Sequence, residues 1–342
     1  MIKLANIVRP NILDLQPYAS ARDEYKGNEG VFLDANENPF GVLNRYPDPY
    51  QIELKQKLSE DKNISINNIF IGNGSDEVID LALRIFCRPG IDKALTFSPT
   101  YGMYEVSASI NDIELIKIPL KCDFQMDLDK VNPYLSDSTV KLMFICSPNN
   151  PTGNLMNKND VEYLLNNFNG VIVVDEAYID FTNEKSIIGL INQYNNLIIS
   201  QTFSKAWGLA AARVGLAYAC EEIIQYYNKV KPPYNVSKLN QKAAIDALNN
   251  RTEFDLNLSS ILLEKKDLVH ALQQLPLIKK IHPSDTNFLL VEVDNVDEVY
   301  NTLVENKIIT RNRNKQIANC IRISIGTTEE NIKLIDVLKK IK

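Results

Sequence analysis

From about residue 51 onward the chain alternates amphipathic segments with short apolar runs at Ile69–Ile71, Ala94–Phe97, Lys141–Cys146, Val171–Asp175, Leu197–Gln201 and Val214–Tyr218. Runs nearly continuous in Val, Ile and Leu are what a strand needs when both faces of its sheet are covered. Between them, Asp76–Phe86 behind a cap-like Ser75, Asn159–Asn166 and Glu221–Val230 carry helical patterns. Strand, helix and strand repeated in this order predict an α/β fold with a mainly parallel sheet and right-handed crossovers.

The pattern changes after Val236, where two long helices (Ser237–Asn249, Glu253–Leu275) precede strands at Asn287–Val293 and Ile321–Ile325 and a closing helix at Thr328–Ile341. This predicts a smaller α+β domain over 246–342 beside a large domain over 36–245. The irregular segment 1–35, with Pro10, Pro17 and Gly30, is expected to pack on the small domain. A length of 342 residues, 45% hydrophobic, suits two domains.

A net charge of -6 argues against a nucleic-acid partner, so any anionic ligand must be met by local arginines. The five cysteines are scattered, without a Cys-x-x-Cys pair, which suggests neither disulfides nor a zinc site, and four have apolar or small neighbours that fit buried thiols. The N-terminus lacks a signal-peptide run and no later stretch could span a bilayer, so a cytoplasmic enzyme with no membrane partner is expected.

Polar groups fall where these strands should end. Lys205, in Thr-Phe-Ser-Lys-Ala-Trp-Gly, has apolar neighbours at Phe203, Ala206, Trp207 and Leu209–Ala212, in contrast to a solvated surface lysine. Desolvation lowers a lysine's pKa and frees its amine to attack a carbonyl. Asp175 closes an apolar run. As a magnesium ligand it would need a Gly-x-x-x-x-Gly-Lys phosphate loop, which the chain lacks, whereas behind a pyridine nitrogen it would keep the ring protonated. Tyr178 and Asn150, before Pro-Thr-Gly, could reach the 3-oxygen of such a ring.

An anion could rest on Gly72-Asn73-Gly74-Ser75-Asp76, where a strand meets a helix; alternatively Ser75 only caps that helix. Glu77 stands where a dinucleotide motif needs its third glycine. Thr202 and Ser204 offer hydroxyls and Arg213 a two-pronged donor. Tyr101 could stack on a ring, although such an aromatic is more often core. With only His270 and His282, a Ser-His or Cys-His hydrolase has little support.

Asn-Asn-Pro-Thr-Gly, Asp-Glu-Ala-Tyr, Ser-Lys-Ala-Trp-Gly-Leu-Ala-Ala-Ala-Arg-Val-Gly and Cys-Ile-Arg-Ile-Ser-Ile-Gly-Thr together resemble the fold type I, class II pyridoxal phosphate aminotransferases, from about Leu33 to the C-terminus. Leu-Gln-Pro-Tyr (15–18), Leu-Asp-Ala-Asn-Glu-Asn-Pro (33–39), Asn-Arg-Tyr-Pro-Asp-Pro (44–49) and Ile-Thr-Arg-Asn-Arg (309–313) are similar to the branch of that family acting on histidinol phosphate.

The resemblance implies pyridoxal 5'-phosphate as cofactor, with Lys205 bonded to it and moving the substrate proton, Asp175 at the ring nitrogen, Tyr178 and Asn150 at the 3-oxygen and Tyr101 stacked. It implies Gly74, Ser75, Asp76, Thr202, Ser204 and Arg213 at the phosphate, with Tyr46 reaching the phosphate of the other subunit of a homodimer. Arg322 would grip the α-carboxylate of glutamate, Arg311 the phosphate of histidinol phosphate, and Tyr18 would close over the substrate. Arg313 shares a side with Arg311 in an extended segment, and either shares its role or faces solvent. Transamination in histidine biosynthesis, between histidinol phosphate and 2-oxoglutarate, is the function expected. A phosphothreonine-type decarboxylase, a general aromatic or branched-chain aminotransferase and a cofactor-sensing regulator are the rivals.

Overall fold

The structure, a computed structural model, describes residues 2–18 and 30–341. Seven strands form the large sheet: β1 (Ile69–Gly72), β2 (Lys93–Ser98), β3 (Glu114–Pro119), β4 (Val140–Cys146), β5 (Val171–Asp175), β6 (Leu197–Thr202) and β7 (Gly215–Ala219). Their order is β1-β7-β6-β5-β4-β2-β3, and β7 alone runs against the rest. Every residue of β1, β5, β6 and β7 is buried, because helices cover both faces.

Two apolar cores sandwich this sheet. One holds Leu54, Leu95, Ile145, Val174, Ile199 and Phe203; the other holds Phe70, Ile79, Phe86, Phe144, Val173 and Tyr227. The helix Ser75–Phe86 crosses the second face with seven buried residues in its twelve. Among the described residues no helix is long and apolar enough to cross a membrane.

A second sheet, β10 (Arg311–Asn312), β11 (Cys320–Ser324), β9 (Phe288–Val293) and β8 (Ile278–Ile281) in that order, is antiparallel throughout. Helices Arg251–Gln273, Val296–Glu305 and Thr328–Leu338 pack on it around Leu272, Val291, Leu303, Ile321 and Leu334. The two units meet at a small cluster in which the Tyr178 and Phe288 rings stand edge to face, 5.2 Å apart. Asp285 seals the same seam, its N–H donating to Gly153 O (2.7 Å) and its carboxylate accepting from Leu155 N–H (3.0 Å).

The expected home of the N-terminal segment is corrected for the residues described. Leu4, Ile7, Val8 and Ile12 are buried in the same core as Ile79 and Phe86 of the large unit. They lie on two single helical turns, Leu4–Asn6 and Pro10–Leu13, and the bend between them, and Arg9 N–H donates to Ile85 O at 2.9 Å while Lys229 Nζ donates to Leu13 O at 2.7 Å.

Candidate active site

The chain ends of β1, β2, β4, β5 and β6 open on one edge of the large sheet, and ligands of such sheets bind outside the carboxyl ends of parallel strands. Ser75 follows β1, Tyr101 β2, Asn150 β4, Tyr178 β5 and Lys205 β6. Because β7 runs the other way, its start lies at the same edge: Gly215 is level with Gly72 on one side and Thr202 on the other. Arg213 therefore reaches the same cavity, of about 460 Å³, as the residues above.

An anion cradle occupies the β1 side. The helix starts at Ser75 with Gly74 at its N-cap and no side-chain cap, so Ser75 does not cap the helix as one reading expected. The N–H groups of Ser75 and Asp76 have no intrahelical acceptor and carry the positive end of the helix dipole. Arg213, in the left-handed region at φ 51, approaches from β7 and pairs with the Asp76 carboxylate at 3.1 Å. That pairing leaves the Asp76 backbone, rather than its carboxylate, to face an anion. Thr202 Oγ1 donates to Val214 O (3.3 Å) and accepts from Ser204 N–H (3.1 Å), which fixes the turn leading to Lys205.

The cradle has no room for an extra carbon. A Cβ on Gly74 would lie 2.6 Å from Arg213 Nη2, and one on Gly215 would lie 2.1 Å from Ser75 N. Since the second clash is with backbone, Gly215→Ala is expected to destabilise the fold by about 3 kcal/mol and to weaken phosphate-bearing ligands. Urea unfolding and ligand titration check this, and wild-type values in both would contradict it.

Asp175 forms the floor, 3% exposed. Tyr104 Oη donates to its Oδ2 at 2.8 Å and the Ala177 N–H to its Oδ1 at 3.1 Å. Burial pushes its pKa up to about 6, against the pull of Tyr104, Ala177 and the more distant Lys205. Tyr101 lies along one wall, its hydroxyl donating to Asp76 Oδ1 at 3.0 Å, a position open to ring stacking. Asn150 Nδ2 is 3.5 Å from Tyr178 Oη, so these two groups converge on one point of the cavity.

Lys205 projects into the cavity with its Nζ 5.6 Å from the Tyr178 ring centroid. Its partial removal from water lowers its pKa, and the Arg322 charge lowers it further. This is the direction that favours a free amine.

Across the seam the small unit contributes arginines. Arg311 and Arg322 are direct cross-strand partners on β10 and β11, a like-charge pairing that disfavours the sheet unless something anionic sits between. Arg322 Nη1 donates to Asn150 Oδ1, its Cζ lies 5.2 Å from the Phe288 centroid, and its buried Nε has no partner. Arg313 also lines the cavity rather than facing solvent; burial and then Arg322 lower its pKa, and its Nε too lacks a partner.

Five cationic side chains thus line the cavity against two carboxylates, Asp76 held by Arg213 and Asp175 by Tyr104. In a chain of net charge -6 this excess marks a site for anionic ligands. A larger groove of about 960 Å³ beyond Lys205, along Trp207 and Phe254, carries Asp246, Glu253, Glu264 and Glu330 and no cation except Lys205. It does not suit an anion. Among the described residues no group of three or more His, Cys, Asp or Glu could hold a metal.

The donor set fits a phosphorylated, carbonyl-bearing nitrogen heterocycle: a cradle for the phosphate, a buried acid for the ring nitrogen, and an amine for the carbonyl. Three expected residues do not line the cavity within this chain: Gly74, which sits behind it at the helix N-cap, Tyr18 and Tyr46. Tyr18 is 73% exposed beside Tyr50, Lys229 and Tyr234, and Tyr46 stacks on Tyr234 at 4.4 Å. Tyr104 went unrecognised in the sequence. It follows Tyr101 by three residues, the helical spacing that puts two aromatics on one face, and this was its only signal.

Residues 24–338 match the family described as aminotransferase class I and II. Histidinol-phosphate aminotransferase of Cytophaga hutchinsonii is 51% identical over 98% of this chain and 98% of that one. The crystal structure of histidinol-phosphate aminotransferase from Clostridium acetobutylicum matches with TM-score 0.79 and 25% identity, covering 89% of this chain and 97% of that one. The Sinorhizobium meliloti counterpart, solved in complex with pyridoxal-5'-phosphate, shares the fold with TM-score 0.79 and 23% identity, covering 90% and 89%.

Proposed function

The chain belongs to the class I and II aminotransferases, and from that premise we propose that it exchanges an amino group between L-histidinol phosphate and 2-oxoglutarate, in histidine biosynthesis, with pyridoxal 5'-phosphate as cofactor. The observation that carries this reading is the position of Lys205 between a buried Asp175 and three arginines of the small unit. Bound in this cavity, the cofactor supplies the carbonyl that takes up the amino group and the ring that stores the electron pair.

The chain's own residues do the rest. Lys205 would hold the cofactor covalently and, once released by substrate, its amine would take the proton from the substrate α-carbon and deliver it to the carbon that had been the cofactor's carbonyl. Asp175 would keep the ring nitrogen protonated. Asn150 and Tyr178 would donate to the 3-oxygen, and Tyr101 would cover the ring. Ser75 and Asp76 through their N–H groups, with Gly74 leaving room at the N-cap and Thr202, Ser204 and Arg213 as side-chain donors, hold the phosphate. Residues 36–245 form the cofactor unit and 246–342 the substrate-closing unit.

Arg322 takes the α-carboxylate of glutamate, while Arg311 and Arg313 share the phosphate of histidinol phosphate. Replacing either Arg311 or Arg313 by Gln is expected to weaken histidinol phosphate by about 10- to 100-fold, the worth of a charge-assisted hydrogen bond, with the glutamate half-reaction little changed. Single-turnover spectra with each donor separate the two effects. Equal losses on both donors would contradict the division of labour.

We propose further that the active unit is a homodimer acting in the cytoplasm, with Tyr46 completing the partner's phosphate site and Tyr18 covering substrate. The run of exposed apolar residues Val31, Leu33, Phe40, Val42 and Leu43 supports a covered face there. The five cysteines are all unpaired, which suits a reducing compartment.

The test of the reaction is a half-reaction titration. Histidinol phosphate, histidinol and phosphoserine are added separately to the loaded enzyme, and conversion to the pyridoxamine form is followed. Histidinol phosphate is expected to convert it at the lowest concentration; preference for the unphosphorylated compound would overturn the substrate assignment.

A further inference from the structure

Tyr104 is 0% exposed and sits on the helix Met103–Ile110. Its ring lies flat on Phe144 of β4, centroids 4.8 Å apart with 7° between planes, and stands edge-on to Tyr101 at 5.6 Å and 87°. Clamped on two sides, the phenol has one orientation, and its hydroxyl donates to Asp175 Oδ2 at 2.8 Å. A core filler needs no hydroxyl here, since phenylalanine would occupy the same volume without burying a polar group. The hydroxyl is retained against that cost, and its partner is the acid assigned to the ring nitrogen.

We propose that Tyr104 is a positioning residue of the reaction, whose phenol O–H fixes the Asp175 carboxylate in orientation and in charge state for the cofactor's ring nitrogen. This rests on the cofactor reading above. Other groups acting on or beside Asp175 are the Ala177 N–H, Asp76, Lys205, the Tyr101 and Tyr178 phenols and, level with it on β4, Cys146, whose thiol is held neutral by burial and also lies against the Tyr104 hydroxyl. Burial raises the acid, Tyr104 is the largest opposing influence, and the balance lies at about 6. With a margin this narrow, losing one donor tips the group toward its neutral acid at physiological pH. A neutral acid no longer stabilises a positive ring nitrogen.

Two replacements test the proposal with opposite signs. Tyr104→Phe keeps the ring packing and deletes the donor; 3,5-difluorotyrosine at the same position keeps the shape and strengthens it. In the cofactor-free protein with ¹³C-carboxyl aspartate, the Asp175 midpoint is expected to rise by about one pH unit, tenfold in proton affinity, in the first and to fall in the second. In protein loaded with pyridine-¹⁵N pyridoxal phosphate, Tyr104→Phe shifts the ring nitrogen toward its unprotonated signal and lowers kcat about tenfold with KM unchanged. A purely structural tyrosine would give two variants with the same Asp175 midpoint as the parent, and that result overturns the proposal. Should Tyr104→Phe not fold, an unmoved midpoint in the fluorinated protein overturns it equally. Failure of the parent protein to take up pyridoxal phosphate sinks the underlying cofactor reading and the proposal with it, whereas the cofactor-free midpoints still report the hydrogen bond itself.

Discussion

Lys205→Ala is expected to lower transamination by a factor of about 10⁴ or more, the upper range for loss of a positioned acid–base group, while pyridoxal phosphate still binds non-covalently. The cavity provides no substitute. Among the described lining residues the other cations are guanidinium groups, which do not give up a proton near neutral pH. Tyr178 cannot take over either, because burial and then nearby Cys146 raise its pKa. Lys205→Arg should fail almost as badly, since a charge at this position is not what the reaction needs. Rapid-quench measurement of the glutamate half-reaction reads the loss. A variant within tenfold of the parent would remove Lys205 from the mechanism.

The second large effect concerns Asp175. Asp175→Asn keeps the size and an acceptor for Tyr104 but removes the charge opposite the ring nitrogen, so kcat is expected to fall about 10²- to 10³-fold, as for other preorganised electrostatic groups. The same change should stabilise the cofactor-free protein at neutral pH. A carboxyl raised from 3.8 to about 6 on folding adds stability that is complete below pH 4 and is lost as pH climbs through 6. Asparagine removes that loss, worth on the order of 3 kcal/mol. Urea unfolding at pH 4.5 and 7.5 tests the sign. A pH-independent difference between parent and variant would contradict it.

Much of this was legible in the residue pattern, for a physical reason. Strands buried on both faces, such as Val171–Asp175 and Leu197–Thr202, open on unbroken apolar runs, Val171–Val174 and Leu197–Ile199, and so announce themselves. The polar residues that follow them lie at the ligand edge by the topology of parallel sheets, so Ser75, Tyr101, Asn150, Tyr178 and Lys205 could be grouped before their contacts were known.

Edges read poorly. β3 carries Glu114 and Lys117, which pair with Lys93 and Glu105, and β8 is Ile-Lys-Lys-Ile; half-exposed strands of this kind resemble loops. The N-terminal segment reads as irregular because its helices, Leu4–Asn6 and Pro10–Leu13, are single turns, and no local rule says which unit such a segment covers. Tyr104 escaped because its partner is 71 residues away, and a tyrosine among core residues looks like packing until the acid beside it is seen.

Borohydride reduction of the loaded protein, followed by proteolysis and mass mapping, locates the covalent bond to the cofactor. The pyridoxyl adduct is expected on the peptide carrying Lys205 and on no other lysine of the chain. An adduct elsewhere, or none at all, would contradict this assignment.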